Sequence, residues 1–491
     1  MESMNQIMLR NVFHVLPELV WCGFGVILML IQPFLKNRQA VTFVAMFGAA
    51  AGTLITFFTA GGSGFSGLIQ FDLFSLFFHG LVGLIAFLVI LASDSYLQRE
   101  NLEPAEFYAL ILFATAGMGV LASAQELLTA FIGLEMSSIA SYILAGYRRD
   151  SIKASESAVK YFLLGSFATA FFLYGIALVY GVTGSTNLLA LANADPNSLL
   201  LRIGLTLILV GLGFKVAAAP FQVWTPDVYE GAPTPVTALF SAGPKAATFA
   251  LLLRIFSTIH AATDYWFWAF WVLAVLTMFV GNLGAIVQNN VKRMLAYSSI
   301  AHAGYTLVAF AAISLVRLDP AEVAPAYAAV LFYLASYALV SVGAFTIVSE
   351  IGGQGERYLT YDDYAGLGTR QPYAAAALSL FLLSLLGLPI TAGFFGKLYI
   401  FRAAIRSDLV WLAVLMAINS IIGAYYYFRL IVVMYMREYK GNVPAEASKS
   451  LSPTAAMVVV VTVIITLYLG LAPNLVLAIA NSQNLLASSS K

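Results

Sequence analysis

Stretches of about 20 nearly uncharged, apolar residues recur from one end of this chain to the other, and that repetition constrains the fold more than any other feature. Each stretch is long enough to cross a hydrocarbon layer of roughly 30 Å as a helix. With no water to satisfy the backbone there, each segment must satisfy its own, as a helix does. The composition agrees: 61% of the 491 residues are hydrophobic and 10% are charged, against roughly 25% charged in an ordinary soluble domain.

Apolar runs between turn signals predict fourteen membrane-spanning helices, near 13–34, 40–60, 73–93, 105–124, 127–147, 156–181, 199–223, 235–260, 265–288, 294–316, 326–350, 373–404, 408–436 and 454–480. The expected fold is an all-α polytopic membrane protein. The first dozen residues, MESMNQIMLRNV, carry no basic start, apolar run or small-residue cleavage site, so no cleaved signal peptide is expected. With the N-terminus outside, the inside connections hold 13 cations: Lys36, Arg38, Arg99, Arg148, Arg149, Lys153, Lys292, Arg293, Arg357, Arg370, Arg437, Lys440 and Lys449. The outside segments hold 5: Arg10, Arg317, Arg402, Arg406 and Lys491. Basic residues are retained on the cytoplasmic side, so both termini are expected to face away from it.

Several function classes drop out. A net charge of +1 without a basic stripe gives no footprint for nucleic acid. One cysteine, Cys22, cannot ligate an iron–sulfur cluster, and four scattered histidines leave little scope for haem or zinc. No redox cofactor is expected in this chain. The GGSGFSG loop at 61–67 matches GxGxxG formally, but no strand precedes it, so it is expected to be a flexible turn.

Seven cations remain in or near the spans. Arg202 and Arg254 lie near helix ends and are expected to snorkel to the headgroups, and Arg429 is intermediate. Lys160, Lys215, Lys245 and Lys397 cost roughly 2.5–3.5 kcal/mol each at mid-membrane, on the order of 10–14 kcal/mol together, unless a hydrated or paired interior receives them. Lys215 precedes Pro220, which must kink or unwind its helix and free carbonyls. Lys397 follows Gly387, Pro389, Gly393 and Gly396, a second weakened helix of opposite internal order. Two broken helices beside ionisable groups fit a pair of inverted repeats, segments 4–8 and 9–13. The expected division is 1–104, 105–260, 261–437 and 438–491.

Lys245, with Ser241 on its face, is the next station for a proton, because burial and a neighbouring like charge both act against a charged amine. Glu135 is the one carboxylate at the middle of a span and needs a cation. Lys160 is the nearest in sequence, although Glu156 competes for it at i−4. His302 sits on a polar stripe with Ser298, Ser299, Tyr305 and Thr306 and suits a proton relay. Each of these residues also has a purely structural reading, as a cap, a salt bridge or a hydrogen-bonded core group. His14, His79 and His260 are given no role, and the phenylalanines and tyrosines are taken as packing and interfacial anchors.

Five stretches, FIGLEMSSIASYIL, ESAVKYFLLGSFATAFFLYGIALVYG, GFKVAAAPFQVWTPDVYEGAPTPVTALFS, VKRMLAYSSIAHAGY and GLPITAGFFGKLYIF, resemble the antiporter-like membrane subunits of respiratory complex I, most closely their N type. The M type typically carries a glutamate in the second broken helix, where this chain has Lys397. The resemblance implies a proton-translocating subunit of an NADH:quinone oxidoreductase in the bacterial inner membrane. It implies a hetero-oligomer with subunit M and small membrane subunits, and NADH, FMN, iron–sulfur clusters and quinone in other subunits. By motif it makes Glu135 the charge-pair glutamate and Lys215 and Lys397 the broken-helix lysines. Lys245 becomes the connecting lysine, with Lys160 and His302 on the hydrophilic axis. A subunit of a multisubunit cation/proton antiporter or membrane-bound hydrogenase shares these helices and remains the alternative.

Overall fold

A computed structural model describes residues 8, 11–34, 37–59, 61–258, 263–315, 320–439 and 450–473. Arg10, Lys36, His260, Arg317, Lys440, Lys449, Lys491 and the expected last turns at 474–480 lie outside the described residues.

The chain runs through α1 (Leu16–Ile31), α2 (Arg38–Phe58), the short strands β1 (Gly62–Gly64) and β2 (Ile69–Phe71), α3 (Leu73–Arg99), α4 (Pro104–Ser123), α5 (Leu127–Ala145) and α6 (Ile152–Thr183). It continues through α7 (Leu188–Ala192), α8 (Leu199–Val216), α9 (Trp224–Gly231), α10 (Thr234–Thr258), α11 (Thr263–Ile286), α12 (Val291–Leu315) and α13 (Pro320–Ile351). The last helices are α14 (Leu367–Arg370), α15 (Pro372–Leu386), α16 (Ala392–Arg406), α17 (Val410–Met436) and α18 (Pro453–Leu471). Among the described residues twelve helices are long and apolar enough to cross a membrane, with Leu199–Gly231 taken as one, and Leu16–Ile31 and Pro372–Leu386 are shorter apolar helices. The chain is a multi-pass membrane protein.

Polar residues at the segment ends explain where the helices start. Asp72 and Glu126 accept from the backbone N–H of Ser75 (2.7 Å) and Thr129 (2.8 Å), and prolines stand in the first turn of α4, α15 and α18. Ser151 caps α6, which therefore begins at Ile152 rather than 156. The helix α3 runs on to Arg99, past the expected end at 93, because Asp94 finds the Thr42 hydroxyl at 2.9 Å outside the apolar stretch.

A helix buried on every side belongs to the interior of a bundle. The best spanning windows of α10 and α13 are 100% buried and that of α12 is 94%, against 33% for α6. Thus α10, α12 and α13 form the centre, and the outward faces of α2, α6, α17 and α18 are apolar and exposed, as a lipid-facing surface requires.

Ion pairs collect the loops at one end of the bundle. Arg148 reaches Glu100 (3.7 Å) and Glu356 (3.9 Å), Arg99 reaches Glu350 (3.6 Å), and Lys292 reaches Glu356 at 2.8 Å. At the opposite end, GGSGFSG is not the expected flexible turn. Its Gly62–Gly64 segment pairs antiparallel with Ile69–Phe71, and Leu68 and Gln125 then link by a backbone hydrogen bond of 2.9 Å.

Candidate functional site

Both expected interruptions are present, and each stands beside a lysine. The first helix stops at Val216, where Ala217 takes a left-handed conformation (φ 62°), and the chain resumes as α9 at Trp224. The freed backbone groups are retaken by side chains: the Phe214 carbonyl accepts from Trp224 Nε1 (2.9 Å), and Ala219 N donates to Thr277 Oγ1 (2.9 Å). Lys215, 6% exposed, therefore does not cap the break. Its amine donates to the Tyr142 hydroxyl at 3.4 Å and lies 5.0 and 5.1 Å from the ring centres of Tyr142 and Tyr161. Beside it a cavity of about 10 Å³, lined by Ser137, Ser138, Ser141 and Thr248 among others, has room for about one water molecule.

The second interruption separates α15 from α16, with Gly387 in the left-handed region (φ 94°). Half-buried Lys397 reaches back across it and donates to the Leu386 carbonyl (2.9 Å) and to Ser420 Oγ (3.2 Å). That carbonyl is one of those a helix end leaves without an intrahelical partner.

Between the two lie Lys245 and His302, both buried in the central helices. Lys245 donates to the Ser299 carbonyl (3.0 Å) and is hydrogen-bonded to the Ser299 hydroxyl. The expected partner Ser241 instead donates to Ala238 O (2.9 Å). His302 Nδ1 lies 2.6 Å from the Tyr333 hydroxyl and Nε2 3.1 Å from that of Tyr427, which in turn lies 2.5 Å from Ser298 Oγ. Tyr305 stands between His302, with ring centres 5.5 Å apart, and Lys397, whose amine is 4.6 Å from its ring centre. From Lys245 to Lys397 the groups thus follow one another along α12. From Lys215 to Lys245 the sequence of neighbours is aromatic: Tyr161, Trp224 at 4.5 Å from it, and Tyr229 a further 6.1 Å away.

Two expected members sit elsewhere. Lys160 is not at mid-membrane but in the third turn of α6, partly exposed, paired at 2.6 Å with both Glu156 and Asp227. Asp227 and Glu230 also share Arg293, at 2.6 and 2.9 Å, so Lys160 belongs to a polar rim. Its neighbour Tyr161 is the residue that faces Lys215. Glu135 accordingly takes no proton donor from Lys160; Thr169 Oγ1 donates to it at 2.9 Å. It is half-buried and interrupts an outward apolar stripe of Leu128, Ile132, Ile139 and Ile143 on α5.

Two arginines also depart from expectation. Arg254 does not snorkel: it is 4% exposed and donates to Asp72 at 2.8 and 3.1 Å, to the Ala122 carbonyl at 2.8 Å and to Ser75 Oγ at 2.6 Å. Arg429 caps the end of α11, donating to Ile286 O (3.4 Å) and Gln288 O (3.3 Å). Tyr142, Tyr161, Tyr333 and Tyr427, expected only as packing or interfacial anchors, are main partners of the site, beside Tyr305 of the polar stripe.

At the ion-paired end, burial pushes the Glu356 carboxyl up, but the Lys292 ammonium and hydrogen bonds from Lys292 and Thr234 outweigh it and hold the group below the usual carboxylate range. Among the described residues no group of three or more His, Cys, Asp or Glu side chains is placed to hold a metal ion.

Residues 124–423 match the family described as NADH:quinone oxidoreductase/Mrp antiporter, TM. The chain is 47% identical over 486 residues to NADH-quinone oxidoreductase subunit N 1 of Solibacter usitatus, covering 96% of this chain and 97% of that one. It is similar to a chain of respiratory complex I from Thermus thermophilus solved with bound aureothin, at 37% identity and a TM-score of 0.78, covering 94% and 98% of the two chains. A chain of the Mrp complex from Dietzia shares the fold, with a TM-score of 0.83 at 20% identity over 98% of both.

Proposed function

The chain belongs to the NADH-quinone oxidoreductase subunit N family, and from that membership we propose how it moves protons. It is a proton-translocating membrane-arm subunit of a proton-pumping NADH:quinone oxidoreductase, working in a hetero-oligomeric arm with the antiporter-like subunit M and small membrane subunits. NADH oxidation, FMN, the iron–sulfur clusters and quinone reduction belong to other subunits, and this chain holds no cofactor. It resides in the bacterial inner membrane with both termini on the periplasmic side and the ion-paired loop end in the cytoplasm.

The chain works as two inverted repeats, 105–260 and 261–437, preceded by helices in 1–104 and followed by 438–491. A proton taken up at the rim of Lys160 and Asp227 reaches Lys215, passes to Lys245, and travels by Ser299, Ser298, Tyr427 and His302 to Lys397, from which it leaves to the periplasm. Glu135, on the outward stripe of α5, changes its distance from Lys215 as the neighbouring subunit changes state. Moving a charge against 100 mV costs about 2.3 kcal/mol, within reach of a shift of a few Å between charges in a low-dielectric interior.

The observation that carries this reading is the row from Lys245 to Lys397, in which, among the described residues, every amine and ring nitrogen has a hydroxyl or carbonyl partner rather than a fixed counter-ion. A permanent carboxylate partner would hold each proton; hydroxyls both accept and donate, so they can pass one on. The test is to purify the native assembly and identify what accompanies this chain. Flavin- and iron–sulfur-bearing subunits with NADH-driven proton pumping are the expected result. Co-purification with cation/proton antiporter or hydrogenase subunits alone would overturn it.

A further inference from the structure

The lysine row leaves unused a second buried pair, Glu18 in the first turn of α1 and His79 in the second turn of α3, 5% and 0% exposed. Sequence position alone puts His79 near a span end with no role. In the structure Glu18 Oε1 and His79 Nε2 are 2.6 Å apart, and His79 Nδ1 lies 2.7 Å from the Ser75 carbonyl. A carbonyl can only accept, so Nδ1 carries a hydrogen. At 2.6 Å, an unprotonated Nε2 and a bare carboxylate oxygen would set two lone pairs against each other. A proton must therefore lie between them. Whether it is written on the carboxyl or on the ring, the pair is net neutral and holds one removable proton.

The surroundings leave that proton as the pair's own. The other carboxyl oxygen, Oε2, is buried and has no hydrogen-bond donor among the described residues. Trp21 stacks on the imidazole at 6.1 Å and Phe71 lies at 5.0 Å. Across from the pair, α4 presents Gly119, where a Cβ would come 3.0 Å from Oε1 and 3.1 Å from Nε2, so any side chain there would press on the pair. From α2 the site meets Gly52 and Thr53, packed on Trp21 and Gly83, neither charged. The nearby titratable groups are Cys22, one turn along α1, and His14, against the hairpin glycines. Asp72 and Arg254 pair with each other, and Arg254 also holds Ser75 Oγ at 2.6 Å. The first turn of α3, whose Ser75 carbonyl meets His79, is thereby fastened to α10, the helix of Lys245.

We infer that Glu18 and His79 form a proton-holding site separate from the lysine row, an acid–imidazole pair that takes up and gives up one proton at the hairpin end of the bundle. It rests on its own geometry and not on the route proposed above.

The test compares infrared difference spectra between acid and alkaline buffer for the purified native complex and for complexes carrying Glu18→Gln, His79→Gln, or both. A shared proton predicts that either single substitution removes the same joint carboxyl and imidazole signal, and that the double substitution removes nothing more. The double variant replaces a neutral pair by a neutral amide pair able to make one N–H···O hydrogen bond, so it keeps the comparison readable where a single variant assembles poorly. In the native complex, the two bands are expected to change together at one pH. Two separate transitions, or a double-variant spectrum identical to the native one, would overturn the site.

Discussion

The two broken helices use the same device to different ends. At the first, Lys215 precedes the break, is almost wholly buried, and has a single acceptor at 3.4 Å beside a cavity of about 10 Å³. At the second, Lys397 follows the break and takes the Leu386 carbonyl at 2.9 Å together with Ser420. An ammonium has three donors, so the first amine is under-provided and the second is anchored to backbone. An interrupted helix therefore does not by itself make an ion site; what matters is whether the freed carbonyls stay available. At the first break Trp224 takes the Phe214 carbonyl and leaves Lys215 to respond to its surroundings. In the proposed route Lys215 is the responsive station and Lys397 the holding one.

The largest expected effect falls on the frame that carries both. Glu356→Gln leaves Lys292, 0% exposed, without its carboxylate, and loss of one partner of a buried pair costs about 3–5 kcal/mol. Thermal unfolding of the assembled complex measures it, and both lysine sites should suffer alike. The Glu356 carboxyl is held below its ordinary value of 4.5, so its stabilisation is complete above that pH and is lost as pH falls through the lowered value. An acid-side loss of stability that Glu356→Gln leaves unchanged would contradict that pairing.

Next comes Lys215→Ala, which should leave assembly intact and lower the proton-pumping rate by about 10²-fold or more, read with a pH-sensitive dye in vesicles. Normal assembly with normal pumping would assign Lys215 to structure. Gly387→Ala tests the second break: a side chain in the left-handed region costs about 1–2 kcal/mol, seen as a lowered unfolding temperature. The first break already carries Ala217 there, so Ala217→Gly should relieve strain instead. The smallest effects separate the two amines most finely. Tyr142→Phe removes the one hydrogen-bond acceptor of Lys215 among the described residues, worth about 0.5–1.5 kcal/mol, and should slow pumping severalfold. Ser420→Ala leaves Lys397 its carbonyl and should slow it less; equal effects would erase the distinction.

Much of this site is legible in the sequence. Lys215, Lys245, Lys397 and His302 stand out because a charge or imidazole inside an apolar run has few inexpensive explanations, and Pro220 and Gly387 announce the breaks. What the sequence does not carry is rotation. In helices buried on all sides, such as α10 and α13, no contrast between a wet and an apolar face says which way a residue points. Glu135 reads as a carboxylate facing a cation but lies on an outward stripe, and Lys160 lies in a rim built from Asp227 and Arg293, more than 60 residues away. Arg254 with Asp72 and Glu18 with His79 are likewise joined across distant helices, by pairings that leave no periodic trace in the sequence. The tyrosines escape notice for another reason: in a membrane chain a buried tyrosine and an interfacial one have the same composition, and only position separates them.

The central claim is that Lys215 must give up its proton in each cycle, and Lys215→Arg tests it most directly. Arginine keeps the positive charge and the length of the side chain but is not deprotonated in proteins. The measurement is NADH-driven proton pumping by the assembled Lys215→Arg complex in vesicles. Normal assembly with pumping as low as that of Lys215→Ala is the predicted result. Pumping at the native rate would show that the site needs only a charge, and would contradict the route through Lys215.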